Sequence, residues 1–120
     1  MKKTLVFGAS TKPSRYSYIA IKRLVEASEK TVAFGAKEGS VAGVKILKRF
    51  DTFNDIDTIT LYLNPVRQKA YYNIIIGLKP RRVIFNPGTE NPEFYELLRK
   101  EGIEVEVACT LVLLATGQYN

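Results

Sequence analysis

Small and cationic residues follow the first apolar segment of the chain. The apolar run Leu5 to Phe7 is followed by Gly8, Ala9 and Ser10 and then by Lys12, Ser14 and Arg15. Small side chains let a backbone approach a ligand closely, and hydroxyl and cationic groups donate hydrogen bonds to anions. Where such a loop leads into a helix, free N–H groups and the positive helix end also attract an anion. The stretch indicates either a phosphate-binding turn or an ordinary strand-to-helix turn, since the complete GxGxxG pattern is absent.

Two residue types on which many enzymes and metal sites rely are scarce in this chain. It contains no His, the commonest general base, and its single Cys is Cys109. The usual ligand sets for zinc therefore cannot be assembled, and no intrachain disulfide can form. We expect no metal site, and we find no recognisable catalytic constellation. Any acid–base chemistry would fall to Asp, Glu, Lys, Tyr or Cys109.

Length and charge describe a single basic domain covering residues 1–120. The 120 residues include 18 basic and 12 acidic side chains, for a net charge of +6. A positive surface favours an anionic partner, but the basic residues are scattered and form no nucleic-acid-binding motif. The chain has no apolar run of membrane-spanning length and opens with no signal-peptide pattern. We expect no nucleic-acid or membrane partner and, from the lone thiol, a cytoplasmic location.

Apolar runs alternate with helical patterns along the chain. The predicted strands cover 5–7, 31–34, 58–63, 82–85 and 103–107, and the predicted helices cover 14–27, 65–78, 91–102 and 109–115. The first two helices are predicted to turn Tyr16 and Val66 toward the core. Residues 37–43 are interpreted as a glycine-rich loop, and 44–50 as a short strand or extended segment. This alternation predicts an α/β, Rossmann-like, doubly wound parallel sheet of about five strands in a three-layer α/β/α arrangement.

Ligands of such sheets bind beyond the carboxyl ends of the strands, and here those segments match a known family in order. They read Gly8-Ala9-Ser10 with Lys12-Pro13-Ser14-Arg15-Tyr16-Ser17, Tyr62-Leu63-Asn64-Pro65, Asn86-Pro87-Gly88-Thr89-Glu90-Asn91 and Ala108-Cys109-Thr110-Leu111-Val112-Leu113-Leu114. Over nearly its whole length the chain resembles the small stand-alone proteins of the CoA-binding domain family. Those proteins share a fold with the CoA-binding domain of succinyl-CoA synthetase.

The resemblance implies coenzyme A as the cofactor and assigns residues to each part of it. It gives the pyrophosphate to Gly8, Ala9, Ser10, Ser14 and Arg15, with Lys12 beside them, and the adenine and pantetheine path to Tyr62, Leu63, Asn64 and Pro65. It places Asn86, Pro87, Gly88, Thr89 and Glu90 toward the pantetheine end, where turn chemistry leaves Thr89 and Glu90 unexplained. It brings Cys109 within reach of the CoA thiol, with a small buried side chain as the alternative.

One loop departs from the family pattern. After the second strand the family usually has Asn-Pro, often followed by Lys, whereas this chain has Gly35-Ala36-Lys37. The loop resembles the one that contacts the adenosine and the 3′-phosphate of CoA. Gly35 and Lys37 are therefore expected at that end of the ligand, where Lys37 would meet phosphate as a point charge.

Four functions remain in competition. The first is a non-catalytic carrier, sensor or regulatory module that binds CoA or acyl-CoA and has an unidentified protein partner. The second is a subunit of an acyl-CoA synthetase-like enzyme, although this chain lacks the phosphate-carrying His. The third is a nicotinamide-dependent oxidoreductase, which would need an acid near the end of the second strand; the first one there is Glu38. The fourth, a nucleic-acid binder, is supported by net charge alone.

Overall fold

The protein folds around one mixed sheet. The computed structural model describes residues 2–120. Within that range the strands are β1 (Lys3–Phe7), β2 (Lys30–Phe34), β3 (Gly39–Val41), β4 (Val44–Leu47), β5 (Ile56–Leu61), β6 (Arg82–Phe85) and β7 (Glu104–Val107). The helices are α1 (Tyr16–Glu26), α2 (Pro65–Gln68), α3 (Tyr72–Gly77), α4 (Pro92–Lys100) and α5 (Thr110–Ala115), and a 3-10 turn, Lys69–Tyr71, joins α2 to α3.

The strand order shows where the chain changes direction across the sheet. The order is β3-β4-β2-β1-β5-β6-β7, and every neighbouring pair is parallel except β3 with β4. From β1 the chain first builds outward through β2 and then returns to β5 on the other side of β1. The α/β, doubly wound prediction is confirmed. The switch point lies between β1 and β5, where such sheets bind ligands.

The expectation of about five strands is wrong, because the sheet has seven in the described residues. The stretch interpreted as a glycine-rich loop contains β3, which forms a hairpin with β4. Ala42 and Gly43 connect them with φ angles of 50° and 83°, the left-handed geometry of a two-residue hairpin turn. Val41 and Ile46 of the hairpin are buried, so its burial in the core outweighs the weak strand propensity of its glycines.

Alternate residues of β1 face two separate cores, one on each side of the sheet. Val6 packs in a cluster with Ile21 of α1 and Leu113 of α5. Phe7 packs in the opposite cluster with Phe94 of α4. Helices therefore cover both faces, as predicted, and the carboxyl edge of the sheet is left to the loops.

Two helix faces differ from the prediction. Tyr16 is 71% exposed and Val66 is 82% exposed, so neither packs in the core. The buried residues of α1 are Ser17, Ala20, Ile21 and Leu24. In α2 the buried side chain is Gln68, whose amide nitrogen donates to the carbonyl oxygens of Leu63 and Thr89, both at 2.8 Å. These hydrogen bonds, which no apolar pattern signals, set the orientation of α2, and the 3-10 turn breaks the predicted continuous helix.

The last part of the chain follows the predicted pattern. Asn91 caps α4, with its side-chain oxygen accepting from the N–H of Phe94 at 3.3 Å, and Pro92 occupies the first helical position. β7 lies at the sheet edge, as the alternation of Glu and Val predicts. None of the helices in residues 2–120 is long and apolar enough to cross a membrane.

Candidate functional site

The loops that follow β1, β2, β5 and β6 enclose a cleft of about 730 Å³, a volume that suits a cofactor-sized ligand. The predicted residues that line it are Gly8, Ala9, Ser10, Lys12, Ser14, Arg15, Lys37, Tyr62, Leu63, Asn64, Pro87, Gly88 and Thr89. The predicted residues outside its lining are Gly35, Pro65, Asn86, Glu90 and Cys109. Thr11, Tyr16, Ser17, Ala36 and Arg67 also line it, although the sequence predicted no ligand contact for any of them and predicted Tyr16 to lie in the core.

The turn after β1 is fastened to β2 at its start and open further along. The N–H groups of Gly8 and Ala9 both donate to the carbonyl oxygen of Phe34, at 2.9 and 2.8 Å. The sequence had suggested that this turn offers free N–H groups to a phosphate, but these two donors are already engaged. In the described part of the chain, the backbone N–H groups without an acceptor in this stretch are those of Ser10, Thr11, Ser14, Tyr16 and Ser17. The backbone N–H groups available to an anion are thus those in the second half of the turn and in the first residues of α1.

Gly8 permits a close approach between the two loops at the switch point. Its φ angle is +98°, which favours glycine. A Cβ there would lie 3.0 Å from Leu63 Cδ2 and 3.1 Å from the Tyr62 carbonyl carbon. A larger residue would push the β1 loop away from the β5 loop and widen the cleft.

Gly35 and Gly39 support the same turn from behind. A Cβ on Gly35 would lie 2.4 Å from the carbonyl oxygen of Ala9, and one on Gly39 would lie 2.4 Å from Cγ2 of Thr11. Gly35 is itself buried and outside the cleft lining, where it positions the turn, and its contact with the ligand remains a prediction. The chain accommodates the turn at this point only because position 35 lacks a side chain.

The charged residues of the cleft all have the same sign. Its lining contains Lys12, Arg15, Lys37 and Arg67 but neither Asp nor Glu. Within residues 2–120 none of these four cations forms an ion pair. No acidic residue lies in the first turn of α1 either, and its N-cap, Arg15, makes no side-chain capping bond. Unneutralised cations beside a helix N-terminus favour an anionic ligand.

The end of β5 supplies both a wall of the cleft and a helix start. Asn64 caps α2 by accepting a hydrogen bond from the N–H of Arg67 at 2.9 Å, and Pro65 is the first residue of that helix. Tyr62 lines the cleft, and its buried hydroxyl lies near Thr60 and Thr110 but has no partner at hydrogen-bond geometry in the part of the chain described. Burial raises the pKa of Tyr62 to about 12, so this phenol stays protonated near neutral pH.

Asn86 ties the two strands beside the cleft to α5. Its side-chain nitrogen donates to Thr60 Oγ1 at 2.7 Å and to the Leu61 carbonyl oxygen at 2.9 Å. Its side-chain oxygen accepts from the N–H of Thr110 at 2.9 Å. Both N–H donors of the amide and one of the two acceptor sites of its oxygen are thus engaged within the protein, and Asn86 acts as a structural clamp.

Thr89 and Glu90, which turn chemistry left unexplained, are both engaged within their loop. The hydroxyl of Thr89 donates to the Asn86 carbonyl oxygen at 2.7 Å. The carboxylate of Glu90 accepts from the N–H of Gly88 at 2.8 Å. Thr89 borders the cleft, whereas Glu90 serves to hold the loop that shapes it.

Cys109 lies at the start of α5, half-buried and outside the cleft lining. Its contact with the CoA thiol therefore remains a prediction. Among the described residues, no group of three or more His, Cys, Asp and Glu side chains is placed to hold a metal ion. The chemistry that the site offers is the binding of an anion by cations and backbone N–H groups.

Comparison with solved structures places this architecture among uncharacterised proteins. A crystal structure of an uncharacterised protein is 47% identical, covers 98% of both chains and superposes with a TM-score of 0.94. A Thermus thermophilus protein is 21% identical over 98% of this chain and 90% of its own, with a TM-score of 0.86. A hypothetical protein from Pyrococcus horikoshii is 22% identical over 98% of this chain and 83% of its own, with a TM-score of 0.85. The latter two show the shared fold alone.

A search of curated proteins gave no match. The family model described as "CoA binding domain" matches residues 2–115. That range includes every strand and helix of the structure and all the residues that line the cleft. The chain therefore belongs to the CoA binding domain family.

Proposed function

We propose that this protein binds CoA or acyl-CoA in the cleft and acts as a non-catalytic carrier, sensor or regulatory module. The observation that carries the proposal is the lining of the cleft, with four cations and no carboxylate. Family membership gives that anion-binding cleft its ligand class. CoA presents a diphosphate and a separate phosphomonoester, which can engage cations at more than one point along the cleft.

The residues of the cleft also favour binding over catalysis. Its titratable side chains are Lys12, Arg15, Tyr16, Lys37, Tyr62 and Arg67. None is a carboxylate or imidazole that could act as a general base near neutral pH, and burial keeps Tyr62 protonated. Incubation with acetyl-CoA should release free CoA no faster than buffer does, as measured with a thiol reagent. Protein-dependent release would contradict a non-catalytic role.

A nicotinamide cofactor fits the cleft less well. Dinucleotide sites of this fold use an acid after the second strand to bind the ribose hydroxyls. Here that position offers Ala36 and Lys37 to the cleft, and no acid lines it. The same absence of acids favours a ligand with more phosphate charge than NAD carries.

Thermal unfolding tests the proposed ligand directly. A ligand that binds only the folded state adds about 2.7 kcal/mol to the free energy of unfolding at a hundredfold excess over its Kd. CoA should therefore raise the Tm clearly, dephospho-CoA should raise it less, and NAD should leave it unchanged. Inorganic pyrophosphate at matched ionic strength controls for general anion effects. A shift with NAD and none with CoA would overturn the proposal.

The partner and the compartment follow from the same proposal. A carrier or sensor must pass its ligand or its signal to another protein, so we propose an unidentified protein partner. A chain with one free thiol and no disulfide suits a reducing cytoplasm. Pull-down with and without CoA would test the first statement, and fractionation of the source cell would test the second.

A further inference from the structure

The first turn of α1 buries a serine and exposes a tyrosine. Ser17 is 4% exposed, whereas Tyr16 beside it is 71% exposed, and both residues line the cleft. Hydrophobicity favours the opposite arrangement, because polar side chains are usually exposed and large aromatic ones are usually buried. Apolar packing therefore does not explain why Ser17 is buried.

Ser17 also differs from the other buried hydroxyl residues in its hydrogen bonding. Each of the buried threonines of residues 2–120 forms a side-chain hydrogen bond, namely Thr4, Thr58, Thr60, Thr89 and Thr110. The hydroxyl of Ser17 forms none in the same part of the chain. A serine in a helix can donate to the carbonyl oxygen four residues back, but the structure shows no such bond from Ser17 to Pro13.

The unbonded oxygen of Ser17 is open to the cleft. Among the buried side-chain nitrogen and oxygen atoms of residues 2–120, the Tyr62 oxygen alone is both sealed from solvent and without a partner. The Ser17 oxygen has no partner either, so it is not sealed, and the cleft is the open space that Ser17 borders. The backbone N–H groups of Tyr16 and Ser17 have no acceptor as well. One helical turn thus presents three donors that no protein group satisfies.

We infer that Ser17 binds the diphosphate of CoA, with its hydroxyl and N–H donating to one phosphate group at the start of α1. The inference rests on the proposed CoA function. The N–H groups of Gly8 and Ala9 are bound to Phe34, so the first turn of α1 takes the place that the sequence assigned to them. The diphosphate lies at the first strand-to-helix turn in folds of this kind, and here that turn leads directly to Ser17.

The rest of the helix start supports an anion at this point. α1 has eleven residues, no acid in its first turn and an N-cap, Arg15, without a side-chain capping bond. The start of α4, in contrast, is capped by Asn91. The positive end of α1 therefore faces the cleft without a carboxylate or a capping oxygen beside it, where a phosphate oxygen can accept its free donors.

Removal of the Ser17 hydroxyl tests the inference. Ser17→Ala suits a helix and deletes a group without a protein partner, so the ligand-free variant should unfold in urea no more easily than the unmodified protein. Calorimetric titration should show CoA and dephospho-CoA binding about tenfold more weakly, because both contain the diphosphate and each loses a hydrogen bond to a charged group.

Thr4→Val is the matched control. It deletes a buried hydroxyl that is bonded to Tyr119 near the amino end of β1, outside the cleft lining. It should lower the free energy of unfolding and leave both affinities within about twofold. The two variants should therefore have opposite effects, with binding lost in one and stability lost in the other.

Each contrary result has its own meaning. If Ser17→Ala binds both compounds as tightly as the unmodified protein, Ser17 makes no contact with the ligand, and the inference is wrong while CoA binding stands. If it weakens CoA alone, Ser17 contacts the 3′-phosphate, and the diphosphate assignment is overturned. If it lowers stability as much as Thr4→Val does, the hydroxyl has a structural role, which also overturns the inference. If neither compound binds the unmodified protein, the proposed function fails and the inference with it.

Discussion

The two ends of the central strands treat their cations in opposite ways. At the amino end of β6, Arg81 pairs with Asp57 at 3.0 Å, and Arg82 pairs with Glu106 at 2.8 Å. At the carboxyl ends, the four cations of the cleft have no acidic partner in residues 2–120. Basic side chains are thus neutralised by carboxylates at one edge of the sheet, whereas those at the other edge have no carboxylate beside them.

The difference separates cations that stabilise the fold from cations that, under the proposed function, would bind a ligand. Arg82 is almost fully buried, and its guanidinium donates to Thr58 Oγ1 at 2.9 Å and to the carbonyl oxygen of Tyr119 as well as to Glu106. The Cζ atom of Arg82 also lies 4.5 Å from the centroid of the Tyr119 ring, and the hydroxyl of Tyr119 forms a hydrogen bond with that of Thr4. These contacts fasten the end of the chain to the sheet. The four cleft cations make no ion pair in residues 2–120 and add no such stability.

The largest predicted effect is the loss of Arg82. Arg82→Met leaves the Tyr119 carbonyl oxygen and the Glu106 carboxylate, whose side chain is 28% exposed, without their donor. Because Glu106 keeps some contact with water, we expect a cost at or below the about 3–5 kcal/mol of breaking a fully buried pair. We expect a fall of that size in the free energy of unfolding, measured with urea. Arg81→Met is the matched control, because its partly exposed ion pair is worth less than about 1 kcal/mol. Equal losses in the two variants would remove the distinction between buried and exposed cations at this edge.

Next in size is the effect of neutralising cleft cations, which should act on binding alone. Each charge-assisted hydrogen bond lost costs about 1.5–3 kcal/mol of binding free energy. Arg15→Gln should weaken CoA and dephospho-CoA alike, whereas Lys37→Gln should weaken CoA far more, since dephospho-CoA lacks the 3′-phosphate. Neither variant should lower the free energy of unfolding, because neither cation forms an ion pair in the described structure. Calorimetric titrations showing the same pattern for both variants would contradict the separate assignments.

A substitution at Gly35 tests whether the shape of the turn after β1 matters as much for CoA binding as its charge. In Gly35→Ala the new Cβ would lie 2.4 Å from the Ala9 carbonyl oxygen, and overpacking of this kind costs about 1–3 kcal/mol. The displaced turn should also bind CoA more weakly. Gly77→Ala is the control, because a Cβ there meets nothing within 4 Å and alanine favours the helix. An unchanged free energy of unfolding and an unchanged affinity for CoA in Gly35→Ala would show that the turn can shift without affecting stability or binding.

The sequence predicted the cleft better than it predicted the details of its walls. Parallel strands end at one edge, so the small and polar residues after β1, β5 and β6 had to converge there. Thr11, Tyr16 and Ser17 border the cleft because they continue the same turn into α1. Arg67 could not be predicted, since its position depends on the hydrogen bonds of Gln68 rather than on any periodicity.

The wrong strand count has a similar cause. Nothing local marks β3, whose three residues include Gly39 and whose turn is Ala42-Gly43 rather than the common Asn-Gly. The hairpin forms because Val41 and Ile46 complete a core built by distant segments. Its placement then brings Gly39 against Thr11, so a strand missed in the sequence helps to shape the predicted turn.

The smallest effect concerns Tyr62, which lines the cleft and has a buried hydroxyl. Its folded-state pKa is about 12 against an ordinary 10.0, so the folded protein keeps a proton that the unfolded chain releases above about pH 10. Stability from this group is therefore fully present below that pH and is lost as the pH rises toward about 12. At about pH 11 the loss amounts to about 1.4 kcal/mol.

Tyr62→Phe should remove this part of the alkaline destabilisation and change stability little at neutral pH, since the hydroxyl it deletes has no hydrogen-bond partner in residues 2–120. Urea unfolding of both proteins at neutral and alkaline pH measures the difference, and Tyr95→Phe, a tyrosine whose ring packs against Phe85, serves as the control. A marked loss of stability in Tyr62→Phe at neutral pH would show that the buried hydroxyl is hydrogen-bonded after all.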